Sequence, residues 1–172
     1  FVSGMREGGL SVTLKTFPGI GNVSADVTES IAENTDSLMT IRDTNFVPYA
    51  SGIQAGADCV MVSNAAYSKL TVKKVPAFMS QDIVTKLLRE ELGFDGIVMT
   101  CPLNDNVIEN NYTNEFAVVE AVKAGCDLIV LPGNFKECYE ALITAVEEGR
   151  IDEKVINTSV RRILQNKIQR GI

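Results

Sequence analysis

Lys15-Thr16-Phe17-Pro18-Gly19-Ile20-Gly21-Asn22 is the stretch of sequence on which the fold prediction rests. It follows an apolar, β-prone run at residues 10–14 and begins a segment rich in glycine, proline and asparagine. The pattern predicts a strand that ends near Thr16 and opens into a long loop. Because ligands bind at the carboxyl ends of strands in parallel α/β folds, Lys15 is a candidate binding residue. An ordinary strand-to-loop turn would give the same local pattern.

Four short β-prone runs recur along the chain, and each is followed by a loop and a helical pattern. They are almost continuously apolar rather than alternating, which is typical of strands covered on both faces in a parallel sheet. The runs span residues 12–16, 58–63, 96–100 and 127–132.

Helical periodicity and capping residues place the helices between these runs. Ser80 is predicted to cap a helix that ends at Leu92, and Asp152 to cap a last helix that is interrupted near residues 158–159. A helix over 115–124 should bury Phe116 on its apolar face. The other predicted helices span residues 47–55 and 135–148, and residues 23–41 are predicted to be polar and irregular.

The organisation of the chain predicts one domain over residues 1–172, because neither a linker nor a composition shift divides it. Four β-α units make either half of a (β/α)₈ barrel or a small, open, doubly wound sheet. The first option leaves two unpaired parallel edges, which need a covering partner. The chain opens with Phe1 rather than Met, so a processed or truncated product is expected.

Composition narrows the function classes. The net charge of −6 argues against a nucleic-acid partner, and the absence of an apolar run of membrane length predicts no membrane span. The chain contains no histidine, which removes the commonest acid/base group and the commonest metal ligand. Its four cysteines lack metal-ligand spacing, so we expect buried free thiols and neither a metal nor a cofactor.

The opening stretch resembles K-H-F-P-G-H-G-D, a motif of glycoside hydrolase family 3 in its β-N-acetylhexosaminidase branch. Further blocks follow in the family's order. Residues 56–64 resemble G-x-D-x-V-M-x-x-H, and residues 76–96 resemble P-A-x-x-S followed by L-R-x-x-L-G-F-D-G. Residues 124–128 and 159–164 match later stretches. The resemblance implies an α/β fold that is half of a (β/α)₈ TIM barrel, with four β-α units and parallel strands, starting at the family's fifth strand.

The catalytic positions that the resemblance implies are substituted. Cys101 stands where the family has its aspartate nucleophile. Asp26 matches the aspartate of the family's D-x-H pair, but Thr28 stands where the pair has its acid/base histidine. No catalytic position is therefore intact, which implies a catalytically inactive member of the family.

The implied sugar-binding residues are Lys15, which is retained, and Thr16 and Asn64, which replace two histidines. Ile20 replaces a further histidine. The expected ligand is an N-acetylglucosamine-containing sugar or peptidoglycan fragment, and a scaffold without a ligand is the competing hypothesis. The missing N-terminal half of the barrel is expected on the same polypeptide or on a second copy of the chain. The family has both cytoplasmic and exported members, which leaves the compartment open.

Two alternative functions remain open. One is an active glycosidase in which Asp26, Asp105 or Glu109 acts as a displaced catalytic carboxylate. The other is an enzyme that uses Cys101 as a nucleophile, although a reactive thiol usually needs a neighbouring base.

Overall fold

The computed structural model of the chain describes residues 1–23 and 26–171. Among these residues, a 3₁₀ turn spans Ala77–Met79 and a π-helix spans Asp82–Glu91. In chain order the remaining elements are α1 (Val2–Glu7), β1 (Thr13–Phe17), β2 (Glu33–Asn34), α2 (Leu38–Asp43), α3 (Phe46–Gln54), β3 (Cys59–Val62), β4 (Ala66–Tyr67), β5 (Ile97–Thr100), α4 (Asn106–Glu109), α5 (Asn114–Ala124), α6 (Phe135–Glu147) and α7 (Glu153–Gln169).

The central sheet has the order β1-β3-β5, and both pairings are parallel. Cys59 lies opposite Thr13 on one side and Ile97 on the other, so the three strands begin in register. Each crossover carries helical segments between parallel strands, as the periodicity indicated. The prediction of an α/β fold with parallel strands is therefore confirmed.

The fourth predicted run continues this sheet without forming a regular strand. A parallel bridge joins Met99 to Leu128. The backbone amide of Leu128 donates to Val98 O at 3.1 Å, and that of Thr100 donates to Leu128 O at 3.1 Å. Residues 128–130 are only half-buried and Leu131 is 57% exposed, because no further strand among the described residues covers their outer side.

β1 forms the opposite edge of the sheet and is also incompletely covered. Thr13 and Lys15 are exposed and Leu14 is half-buried, whereas Val60 and Val62 of β3 are fully buried. The sheet therefore has a buried middle and two bare flanks.

Several helix predictions agree with the structure and three were wrong. Asp152 caps α7, accepting from the Lys154 amide at 2.9 Å, but α7 runs without the predicted interruption. The N-cap residue of the π-helix is Gln81 rather than Ser80. The carbonyl of Ser80 accepts from the amides of Ile83 and Val84 at the start of this helix. Phe116 is 50% exposed because its ring stacks on Tyr112 on the outside of α5, at a centroid distance of 5.9 Å.

The predicted irregular segment 23–41 contains β2 and the start of α2, and its residues 24 and 25 lie outside the described residues. β2 pairs in parallel with β4, which holds this segment beside the carboxyl end of β3. No helix among the described residues is long and apolar enough to cross a membrane.

Two buried carboxylates lie below the amino ends of the strands. Asp58, just before β3, accepts from the Val12 amide at 2.9 Å and from Arg6 and Arg170, each at 2.6 Å. Burial opposes its ionisation, but these donors outweigh it and lower the pKa of Asp58 below its ordinary value. Asn166 of α7 adds a bond at 3.3 Å.

Asp127 is the second buried carboxylate with several donors, and it lies at the start of the fourth run. Its fully buried carboxylate accepts from Arg89, from the Val98 amide at 2.8 Å, and from Ser159 and Arg162 of α7 at 2.7 and 3.2 Å. α7 is thereby held across the amino ends of the strands, which leaves the carboxyl ends free for a site.

We expect Asp127→Asn to lower the free energy of unfolding by about 3 kcal/mol or more, because it leaves the mostly buried guanidinium of Arg89 without its counter-charge. Urea denaturation monitored by circular dichroism measures the loss. The matched control is Glu120→Gln, which removes a surface pair with Lys123 and should cost less than about 1 kcal/mol. Equal losses in the two variants would contradict the role assigned to Asp127.

Candidate functional site

The loop after β1 is fixed at Gly19. Its carbonyl accepts from Asn45 Nδ2 at 3.0 Å and from the Tyr67 hydroxyl at 3.1 Å. Gly19 has a φ of 99°, and a Cβ there would lie 2.9 Å from Asn45 Nδ2, so the residue must be glycine for both conformation and space. Asn34 Nδ2 bonds the next carbonyl, that of Ile20, at 3.2 Å. The candidate loop is thus anchored by β2, α3 and β4.

The carboxyl ends of β3 and β5 bring three candidate residues together. Asn64, which follows β3, is 1% exposed and donates from Nδ2 to Asp105 Oδ2 at 3.0 Å. Its backbone amide lowers the pKa of Cys101, the residue directly after β5. Asp105 is the N-cap residue of α4 and is half-buried.

The loop that carries Asp26 and Thr28 is attached to α4. The Val107 amide donates to Thr28 O at 2.8 Å, and Asn106 Nδ2 donates to Glu29 at 2.9 Å. Asp26 in turn accepts from the amide of Thr28 at 2.9 Å and from its hydroxyl at 2.7 Å. These bonds place Asp26, Glu29 and Asp105 on one side of the site, and we call these three residues the acidic rim.

The two aspartates of the acidic rim have opposite pKa shifts. The amide and hydroxyl bonds from Thr28 hold the pKa of Asp26 below its ordinary value. Burial, together with the negative charges of Asp26 and Glu29, raises the pKa of Asp105 and outweighs the bond from Asn64. The negative charges of Asp26 and Glu29 thus oppose the ionisation of Asp105.

Cys101 lies in a buried position that suppresses its reactivity. Burial and the charge of Asp105 raise its pKa to about 11, while the Asn64 amide and the charge of Lys15 oppose that shift. A thiol with this pKa is almost entirely protonated at neutral pH, and the protonated form is not nucleophilic. The geometry therefore gives no support to an enzyme that uses this cysteine.

The remaining candidate residues are less closely connected. Lys15 is exposed on β1 and near enough to Cys101 to affect its pKa. Thr16 is half-buried on the same strand. Glu109 is exposed at the end of α4, and no hydrogen bond within the described part of the chain joins its side chain to Asp26 or Asp105. The binding roles predicted for Lys15, Thr16 and Asn64 stay predictions.

Sequence reasoning missed Glu29. Its only signal is its position three residues after Asp26 on a loop already considered functional. Its relation to Asp105 depends on the way α4 folds back onto that loop, which no local pattern reveals.

The arrangement as a whole offers carboxylates, one amide side chain and a lysine. The position implied for the nucleophile holds a protonated thiol, and the position implied for the acid/base holds a hydroxyl that donates to Asp26. Such a site can make hydrogen bonds and ion pairs with a polar ligand.

Comparison with known proteins shows the family to which the chain is related. Residues 1–166 match the family model described as the glycosyl hydrolase family 3 N terminal domain. A beta-hexosaminidase of Xylella fastidiosa (strain M23) is 33% identical over 131 residues, which cover 76% of this chain and 38% of that protein. A beta-glucosidase of Rhizobium radiobacter is 30% identical over 167 residues, covering 95% of this chain and 18% of that protein.

Among solved structures, a glycoside hydrolase family 3 beta-N-acetylglucosaminidase from Paenibacillus sp. str. FPU-7 superposes with a TM-score of 0.95 at 34% sequence identity. The match covers 99% of this chain and 33% of that chain. The present chain thus spans well under half the length of these relatives.

We expect Cys101 to resist alkylation by iodoacetamide at neutral pH, because its raised pKa leaves little thiolate. The rate should increase as the pH approaches about 11, within the range in which the protein stays folded. Mass spectrometry of tryptic peptides identifies the modified thiol, and the urea-unfolded protein, in which every thiol is accessible, is the control. Rapid, selective labelling of Cys101 at neutral pH would revive the cysteine hypothesis.

Proposed function

Because the chain belongs to the glycoside hydrolase family 3 N-terminal domains and is related to beta-hexosaminidases, we propose that it retains a sugar-binding rim without the family's hydrolysis. The observation that carries the proposal is that a buried thiol, Cys101, stands at the position implied for the nucleophile. Burial raises the pKa of this thiol to about 11. The proposed role is that of a carbohydrate-binding or scaffold module.

The chemistry of glycoside cleavage supports the proposal. A retaining glycosidase needs a carboxylate that attacks the anomeric carbon and an acid that protonates the leaving oxygen. Thr28 cannot exchange a proton near neutral pH, and its hydroxyl already donates to Asp26 at 2.7 Å. Losing both groups removes covalent and acid/base catalysis together, each of which contributes orders of magnitude in rate.

The proposed ligand is an N-acetylglucosamine-containing glycan. The names of the relatives support this choice, since one is a beta-hexosaminidase and another a beta-N-acetylglucosaminidase. We assign contacts with the sugar to Lys15, Thr16 and Asn64, which lie at the carboxyl ends of β1 and β3. Lys15 is exposed on this rim, so its ammonium is free to reach a hydroxyl or carboxylate of the ligand.

We also propose that the chain is half of a (β/α)₈ barrel, completed by four further β-α units on the same polypeptide or on a second copy. Two features support this: the half-exposed flanks of the sheet, and the share of about one third that the chain covers of its relatives. Exposed apolar side chains follow the flank of the fourth run and its helices, as expected of a surface that a partner covers. They are Leu131, Phe135, Tyr139, Ile143, Val160, Leu164 and Ile168.

A second candidate function is glycoside hydrolysis by displaced carboxylates. The opposite pKa shifts of Asp26 and Asp105 favour it, because a pair of carboxyl groups with separated pKa values can divide the roles of base and acid. In this mechanism Asp105 would donate a proton to the leaving oxygen and Asp26 would activate water or attack directly.

Calorimetry with N-acetylglucosamine and with muropeptides tests the proposal. We expect binding heat at millimolar ligand, which Lys15→Ala weakens and the surface control Lys86→Ala leaves unchanged. We expect no release of chromophore from a chromogenic N-acetylglucosaminide over long incubation. Turnover that Asp26→Asn or Asp105→Asn abolishes would establish the second candidate instead. Absence of any heat would leave a scaffold without a ligand.

The half-barrel makes a separate prediction about association. The chain on its own should self-associate above its monomer mass of 18.7 kDa, because its apolar flanks avoid water by pairing. Sedimentation equilibrium measures the mass, and Leu131→Lys should shift it towards monomer. The control Val72→Lys changes a fully exposed residue on the loop after β4 and should have no effect. A monodisperse monomer of the unmodified chain would contradict the half-barrel.

A further inference from the structure

We infer that the site prefers a sugar that carries a free, protonated amino group over its N-acetylated counterpart, because Asp105 Oδ1 and Asn64 Oδ1 are acceptors without a donor among the described residues. This inference rests on the proposed function, in which the same rim binds a sugar. The ligand class is a 2-amino sugar or a partly deacetylated glycan.

The first step is the geometry of Asp105. Asn64 Nδ2 donates a hydrogen bond to Asp105 Oδ2 at 3.0 Å, whereas no donor among the described residues bonds Asp105 Oδ1. Asp105 is the N-cap residue of α4, but its side chain makes no capping bond. Because the residue is half-buried rather than enclosed, one carboxylate oxygen stays accessible to a ligand.

The second step is an independent acceptor in the wall of the site. Asn64 is 1% exposed, and its Oδ1 has no hydrogen-bond partner in the described part of the chain. The amide cannot be flipped to solve this, because its oxygen would then face the carboxylate of Asp105. A buried acceptor without a donor is unfavourable, so Asn64 lacks a partner that a donor-rich ligand would supply.

The third step is the charge balance. Asp26 and Glu29 both raise the pKa of Asp105, whereas the positive charge of Lys15 acts on Cys101, whose pKa it lowers. Thr16 and Asn64, at the positions where the family resemblance implies histidines, supply no positive charge. A cationic ligand would relieve the repulsion within the acidic rim.

The chemistry of the two nitrogen groups separates the candidate ligands. An ammonium offers three donors, enough for Asp105 Oδ1 and for a further acceptor of the site. An acetamide offers a single N–H and adds a carbonyl oxygen, which is a further acceptor among acceptors. A metal ion fits less well, because the described residues contain no group of three acidic, cysteine or histidine side chains arranged to hold one.

Calorimetric titration with glucosamine, N-acetylglucosamine and glucose below neutral pH, where the amine is protonated, tests the inference. We expect glucosamine to bind about tenfold more tightly than N-acetylglucosamine, the size of effect typical of one charge-assisted hydrogen bond. The preference should shrink as salt is added, since part of it is electrostatic.

Asp105→Asn should abolish the preference while keeping an acceptor for Asn64, and Glu29→Gln, at an exposed position, should reduce it. The matched control is Asp95→Asn, the same change at an exposed site before β5, at the opposite end of the strand, and it should keep the preference. Equal or tighter binding of N-acetylglucosamine, or a preference that survives Asp105→Asn, would overturn the inference and leave sugar binding intact. Absence of binding by all three sugars would overturn both.

Discussion

The carboxylates of Asp58 and Asp127 are the constraint around which the rest of the molecule is arranged. Each lies below the amino end of a strand, and each is bonded by two arginines and a backbone amide. A charge this deeply buried is tolerated only when its donors are held in place. The donors come from α7 as well as from distant segments, so the two carboxylates determine where that helix lies. α7 in turn closes the amino ends of the strands.

Closing one end of a parallel sheet decides where a ligand can bind. The carboxyl ends carry loops together with the short elements β2, β4 and α4, and side chains of neighbouring elements fix these loops. Gly19 illustrates this, since its carbonyl is bonded from α3 and from β4 at once. α4 likewise fixes the loop that carries Asp26, through hydrogen bonds from Val107 and Asn106. The site therefore combines loop residues with residues of β1, and the negative charges of Asp26 and Glu29 oppose the ionisation of Asp105.

The sequence predicted the framework because its signals are local and repeated. Gly56-Ala57-Asp58 and Gly125-Cys126-Asp127 have the same pattern, a glycine with positive φ that ends a helix and an aspartate that precedes an apolar run. Such a pattern fixes both the helix end and the strand start. The strand prediction failed at the fourth run. Its residues are apolar, but no strand among the described residues pairs with its outer side, and only one bridge, between Met99 and Leu128, joins it to β5. The burial prediction failed at Phe116, whose ring stacks on Tyr112 instead of entering the core.

The site was less predictable because its properties depend on contacts between distant segments. Asp105 could be named from the sequence as a carboxylate near Cys101, but its raised pKa depends on Asp26 and Glu29, which arrive from a loop almost eighty residues earlier. The same contacts explain why the two aspartates differ. Thr28 gives Asp26 two hydrogen bonds that favour its charge, whereas Asp105 has one bond and two negative neighbours. The acidic rim thus contains one carboxylate whose charge its hydrogen bonds stabilise and one whose ionisation its surroundings oppose, and the second is the group that a positively charged ligand would stabilise most.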